Sequence, residues 1–133
     1  MIDVEYTFNE EQLNQIENVF EQDLQPLGLH AVILIDMAGN VIANSDNGKI
    51  KHDIYSLAAL AAGNFGAVSA MANMIGEKDF SLLFHKGEHE CIHFSKVLTD
   101  FLLITIFEQA ISLGFLRLKV TEAIAKIEKI LGA

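Results

Sequence analysis

The chain has 133 residues, of which 51% are hydrophobic, and it contains one Pro and one Cys. This length and composition predict a single globular domain over residues 1–133. Its 18 acidic residues against nine basic ones give a formal net charge of -9, which argues against nucleic acid as a partner. The first residues lack the pattern of a signal peptide, and one cysteine cannot form an internal disulfide, so we expect a cytoplasmic protein.

Three segments have the capping residues and apolar spacing of helices. These predicted helices run from Thr7 or Asn9 to about Leu24, from Asp53 to Gly76, and from Ser112 or Leu113 to Leu131. Pro26 and Gly28 end the first helix. The second helix is unusual, because residues 54–76 contain no charged side chain.

Five further segments have the patterning of strands. They cover residues 29–36, 41–45, 80–86, 90–97 and 101–107. The runs 29–36 and 101–107 are apolar on both faces, which predicts central positions, and we place 41–45 and 80–86 at the edges. Asp36, Gly39 and Asn40 supply hairpin turn chemistry between the first two strands. The element order predicts an α+β domain, α-β-β-α-β-β-β-α, with helices packed on a five-stranded, mostly antiparallel sheet.

Residues 89–93, HECIH, match the H-E-x-x-H pattern of zinc peptidases. That chemistry needs His89 and His93 one helical turn apart around one metal, with Glu90 as the base. On a strand the two histidines would lie about 13 Å apart, at roughly 3.3 Å per residue. We therefore expect a hairpin whose histidines are surface or half-buried residues, and no metal site.

Two further possibilities are an adventitious metal site and an enzyme active site marked by a known motif. A transition metal could bind adventitiously if the register placed His85 opposite His93, with His89 and Cys91 nearby. The sequence lacks a P-loop, a G-x-G-x-x-G motif and a G-x-S-x-G elbow. We therefore predict a protein that is not an enzyme, with no catalytic residues and no cofactor.

The uncharged helix divides into two predicted faces. The core-facing stripe has larger side chains: Ile54, Leu57, Ala61, Phe65 or Asn64, Val68, Met71 or Ala72, and Ile75. The opposite stripe has small ones: Tyr55, Ala59, Ala62, Gly66, Ser69 and Asn73, with Gly63 and Ala70 beside them. A membrane span would be long enough, but the Asn, Ser and Gly residues and the lack of flanking basic clusters favour a helix without membrane insertion.

Two interpretations explain a helix without charges on either face. In the first, the helix is buried inside one domain or exposes an uncharged face to water, but a domain this small has few other elements to cover both sides of the helix. We favour a homodimer that uses this helix and strand 80–86, since an apolar edge strand also needs a partner. The predicted contacts are Tyr55, Ala59, Ala62, Gly63, Gly66, Ser69, Asn73, Phe80, Leu82 and Phe84.

Three stretches together resemble the roadblock (dynein light chain) family, and within it the MglB-like bacterial regulators of gliding motility and cell polarity. They are VILIDMAGNVIANS at 32–45, DIYSLAALAAGNFGAVSAM at 53–71 and LGFLRLKVTEAIAKI at 113–127. The resemblance implies one roadblock-like domain with a profilin-like sandwich. It also implies a dimer through the second helix and third strand, whose two sheets become continuous.

The resemblance also carries functional expectations. Family members bind small Ras-like GTPases, and MglB-like dimers act as GTPase-activating proteins for an MglA-type partner without an arginine finger. The only arginine here, Arg117, is therefore expected to serve packing or a salt bridge. Two alternatives stay open: a scaffold subunit that binds a GTPase or motor complex without changing turnover, and a small-molecule sensor domain.

Overall fold

A five-stranded antiparallel sheet organises the protein, as seen in a computed structural model that describes residues 8–48, 53–80 and 83–132. The elements are α1 Glu10–Val19, β1 Ala31–Asp36, β2 Val41–Asp46, α2 Ile54–Met74, β3 Leu83–Lys86, β4 Glu90–Val97, β5 Phe101–Glu108 and α3 Leu113–Ile130. The predicted α+β class and the element order are confirmed.

The strand order across the sheet is β2-β1-β5-β4-β3, with every neighbouring pair antiparallel. β1 and β5 lie inside, and nearly all their side chains are buried. Helices cover both faces of these strands, which is why their sequences show no polar alternation. β2 and β3 lie at the two edges, as predicted.

The first helix is capped by Asn9. The Asn9 side chain accepts a hydrogen bond from the Gln12 backbone N–H, and the Gln12 side chain accepts one from the Asn9 backbone N–H. This reciprocal capping box satisfies two N–H groups that the first turn would otherwise leave unpaired. The other predicted cap, Thr7, lies outside the described residues. After Val19 the chain continues through a π-helical turn at Phe20–Leu24 and a short 3₁₀ turn at Gln25–Leu27.

Two apolar clusters fill the spaces between the sheet and its helices. On one face, Ile16 and Phe20 from the first helical segment join Leu116, Val120 and Ile127 from α3 against the sheet. On the other face, α2 is the one described helix that packs on β1, β4 and β5, mainly through alanines. Because one helix covers this second face, the outer side of α2 has nothing from its own chain to cover it among the described residues.

Candidate functional site: the outer face of α2 and the edge of β3

The start of α2 is held by Asp53, the predicted cap. Its Oδ1 accepts hydrogen bonds from the backbone N–H groups of Tyr55 and Ser56 at 3.1 and 3.2 Å, and its Oδ2 accepts one from Ser56 Oγ at 2.7 Å. The hydroxyl and backbone donors of Ser56 lower the pKa of this carboxyl, since they stabilise its charged form. A charged N-cap thus stabilises the first turn of α2.

Small side chains dominate the inner face of α2. Ala58, Ala61, Ala62 and Ala72 are buried against the sheet. Ile54, Leu57, Phe65 and Val68 are half-buried at the margins of this contact. The predicted core stripe is therefore correct for most of its members, with Ala72 rather than Met71 inside. The predicted core position of Ile75 is wrong, because Ile75 lies just past the helix end and is 70% exposed.

The prediction that Ala62 faces a partner is wrong. It is only 9% exposed and belongs to the cluster between α2 and the sheet. Four residues of helix rotate a side chain by about 40°, so Ala62 lies close in direction to the buried Ala58. Ser69 lies on the same side and is half-buried.

The other predicted contacts on α2 are open to solvent. The exposed members are Tyr55, Ala59, Gly63, Gly66 and Asn73. They form a flank of mostly small residues, which the β1–β2 turn touches at Ala59 and which is otherwise open among the described residues. Their predicted exposure agrees with the structure, whereas their contact with a partner stays a prediction.

Sequence reasoning missed the large apolar side chains at the centre of the outer face. Leu60, Met71 and Met74 are 73%, 53% and 85% exposed. Together with Gly63 and Ala67 they form the outer stripe of α2, named here for these five residues. The signal was present in their spacing of three or four residues, which is that of one helical face.

By length and composition alone, α2 also meets the usual test for a membrane span. Its most apolar window has a mean hydropathy of 1.4, and 17% of that window is buried in the protein. It is the one helix in the described part of the chain that passes this test. A core helix of a protein that does not cross a membrane can pass the same test.

The edge strand β3 lies next to α2 in sequence and pairs with β4 on one side only. It begins at Leu83, so Phe80 precedes the strand instead of starting it, and Leu82 lies outside the described residues. Phe84 turns inward and stacks on Phe107, with ring centroids 6.0 Å apart. Phe84 therefore serves the protein's own core, whereas Phe80 is 39% exposed.

The histidines of the β3–β4 hairpin do not form a metal site. Phe84 lies opposite His93 and His85 opposite Ile92, so the register that a shared metal needs is absent. The described residues contain no group of three or more His, Cys, Asp or Glu side chains that could hold a metal ion. HECIH lies at the start of β4 instead of on a helix, as predicted.

His93 differs from the expectation of a surface or half-buried residue. Only 4% of it is exposed, and its Nδ1 lies 3.3 Å from Ser95 Oγ. Burial, with a further contribution from the Arg117 charge, lowers its pKa to about 4. His93 is therefore neutral at physiological pH.

Arg117 also differs from its expected role. It is exposed near the start of α3, and the described residues offer it no ion pair. Its backbone carbonyl accepts a hydrogen bond from Thr121 Oγ1 at 2.8 Å, but its guanidinium is not part of that contact. Of the two predicted roles, packing or a salt bridge, the salt bridge is not found among the described residues.

The sequence matches the Roadblock/LC7 domain family over residues 16–107. The chain belongs to this family. MglB of Myxococcus xanthus is 31% identical, with 93% of this chain and 92% of that chain covered and a TM-score of 0.84. The gliding protein MglB of Thermus thermophilus is 25% identical, with 98% of each chain covered and a TM-score of 0.84.

A structure described as MglB with a tetrameric arrangement is also 25% identical, with 98% of this chain and 97% of that chain covered and a TM-score of 0.86. Profilin II of Acanthamoeba castellanii shares the fold alone, at 17% identity, 84% and 95% coverage and a TM-score of 0.60. Among curated proteins, no sequence matches. The chain is therefore a MglB-like roadblock protein with a profilin-like fold, as its sequence predicts.

Proposed function

We propose that this protein is a homodimeric regulator of a small Ras-like GTPase of the MglA type, whose GTP hydrolysis it stimulates without an arginine finger. The observation that carries the proposal is the uncharged outer stripe of α2 beside the open edge of β3. The MglB relatives support the same assignment, since the chain aligns with them over nearly its whole length. The role is regulation of gliding motility or cell polarity.

The dimer follows from the physical chemistry of the outer stripe. Leu60, Met71 and Met74 leave large apolar side chains in water, although each Å² of apolar surface that is buried contributes about 25 cal/mol. A second copy of α2 would cover this stripe, with the glycines and alanines of the flank allowing the two backbones to approach closely. A structural relative described as tetrameric supports self-association.

The edge of β3 fits the same arrangement. An open edge strand presents unpaired N–H and C=O groups, and proteins usually protect such edges or pair them. Two β3 strands pairing across a twofold axis would join the two sheets into one. Leu83 of β3 and Phe65 of α2 pack against the same apolar cluster, so both contacts can form in a single interface.

A partner GTPase would have to be activated without a catalytic side chain from this face. The only arginine, Arg117, lies on α3, which packs on the opposite side of the sheet from α2. A GTPase that docks on the outer stripe would contact the side of α2 that points away from the sheet, and therefore away from α3. The proposed activation therefore acts by rearranging the GTPase's own catalytic residues.

The experiment that tests this function is a single-turnover GTP hydrolysis assay with a Ras-like GTPase encoded beside this gene. We expect the wild-type protein to accelerate hydrolysis, and Leu60→Glu in the outer stripe to abolish the acceleration. Asn14→Glu, on the exposed side of α1 and away from α2, is the matched control and should behave as wild type. Binding without any change in rate would instead identify a scaffold subunit.

A further inference from the structure

A cavity of about 370 Å³ lies where α3 faces the edge of β4, close to the start of β3. The polar residues of its lining include His93, Ser95 and Arg117. The apolar residues of its lining include Phe65 and Phe94. This volume is within the range of small-molecule sites, which are mostly apolar with a few polar groups that orient the ligand.

The charged groups that line this cavity are satisfied, with one exception. Lys96 Nζ bonds Asp79 Oδ2 at 3.1 Å, and Glu128 Oε2 accepts the Leu98 N–H at 3.0 Å. Arg117 also lines the cavity, yet within the described ranges no carboxylate pairs with it. In the described part of the chain, the Arg117 guanidinium is therefore free to hold an anion through paired N–H donors.

His93 is the second, independent sign of a ligand. It is 96% buried, since 4% of it is exposed, and it lines the cavity beside Arg117. Ser95 Oγ lies 3.3 Å from its Nδ1, and no described residue hydrogen-bonds its Nε2. When the Ser95 hydroxyl donates to Nδ1, the neutral ring carries its proton on Nε2 and offers one N–H donor that the protein does not use.

We propose that this cavity binds a small monocarboxylic acid with an apolar body. The guanidinium of Arg117 would hold the carboxylate through paired N–H donors, and His93 Nε2–H would donate to one of its oxygens. Phe65 and Phe94 would cover the apolar part. Asp79 and Glu128 in the rest of the lining disfavour a second carboxylate, so the site selects against dicarboxylates.

The inference does not depend on the proposed GTPase partner, because binding is measured on this protein alone. The probes are hexanoate and its uncharged analogue hexanamide, titrated by calorimetry and by NMR of the His93 ring. We expect saturable binding of hexanoate, about tenfold tighter than of hexanamide, since only the carboxylate carries the opposite charge and offers two equivalent oxygens to the guanidinium. The His93 ring signals should shift as hexanoate binds.

Variants on α3 separate recognition from non-specific binding. Arg117→Gln should weaken hexanoate about tenfold and hexanamide less than hexanoate, whereas Lys129→Gln, which removes an exposed charge outside the cavity lining, should change neither. Equal affinity for both probes, an Arg117→Gln protein that binds hexanoate as wild type does, or unshifted His93 signals would each overturn the proposal. So would the absence of saturable binding.

Discussion

Gly39 lies directly against Ala59: a Cβ atom built on Gly39 would come within 2.9 Å of the Ala59 Cα. The contact joins the β1–β2 turn to the backbone of α2, and Gly39 also has a φ of 91°. Gly39→Ala should therefore destabilise the fold by about 2 kcal/mol or more, through the clash together with the strained backbone. Urea denaturation followed by circular dichroism measures the change.

Gly28→Ala is the matched control for this prediction. Gly28 has a similar φ of 86°, but no atom lies within 4 Å of a Cβ built there. It should show the cost of the strained backbone alone, about 1 kcal/mol. Equal losses in the two variants would show that the approach of Gly39 to α2 contributes nothing.

The Asp53 cap predicts an acid-sensitive start of α2. Its pKa is lowered in the folded state, so its contribution is present above the usual value of 3.8 and is lost as pH falls through the folded value. Asp53→Asn keeps an acceptor for the cap but does not titrate there. Thermal unfolding between pH 3 and 6 should show a smaller loss on acidification for the variant than for wild type.

His93 predicts a separate pH dependence at higher pH. Its folded pKa of about 4 lies below the ordinary 6.5, so between these values the unfolded chain binds a proton that the folded chain does not. Stability should fall by about 2 kcal/mol as pH drops from 6.5 to 4, after allowance for solvent screening, and change little from this source below that range.

The control for this effect is an exposed histidine of the same hairpin. His93→Gln should flatten the profile between pH 4 and 6.5, whereas His85→Gln should leave it unchanged. Direct titration of the His93 ring by NMR gives the pKa itself. A measured pKa near 6.5 would contradict the burial and neutrality of His93.

The sequence was sufficient to predict the fold because local patterns and global packing agree. β1 and β5 are almost entirely apolar because helices cover both sheet faces, and that coverage is visible in the sequence as the lack of polar alternation. β3 was predicted less well. Its segment contains Phe80 and Phe84, yet the first precedes the strand and the second packs inward on Phe107.

The division of α2 into faces was only partly predictable. Side-chain size was the criterion, and alanines are small enough to belong to a close helix–sheet contact as readily as to a partner contact. Ala62 was therefore placed outside, while Leu60 and Met74 at the true centre of the outer face were overlooked. The cavity beside His93 joins residues of both helix layers, and no short stretch of sequence carries such a signal.

The corrected faces of α2 make a direct prediction for Ala62→Glu. This change would bury a carboxylate between α2 and the sheet, where no described basic side chain pairs with it. We expect the domain to lose about 3 kcal/mol of stability or to fail to fold. Thermal unfolding and light scattering measure the outcome, and a stable, monomeric Ala62→Glu protein would contradict the buried position of Ala62 and support its predicted position at the partner surface.

The central claim is that the outer stripe of α2 joins two copies of this chain, and molar mass by light scattering tests it most directly. At micromolar concentration, wild type and Asn14→Glu should have at least twice the 14.7 kDa mass of one chain. Leu60→Glu should stay folded, by circular dichroism, at the mass of a single chain. A monomeric wild type, or a folded Leu60→Glu protein that keeps the wild-type mass, would contradict the account.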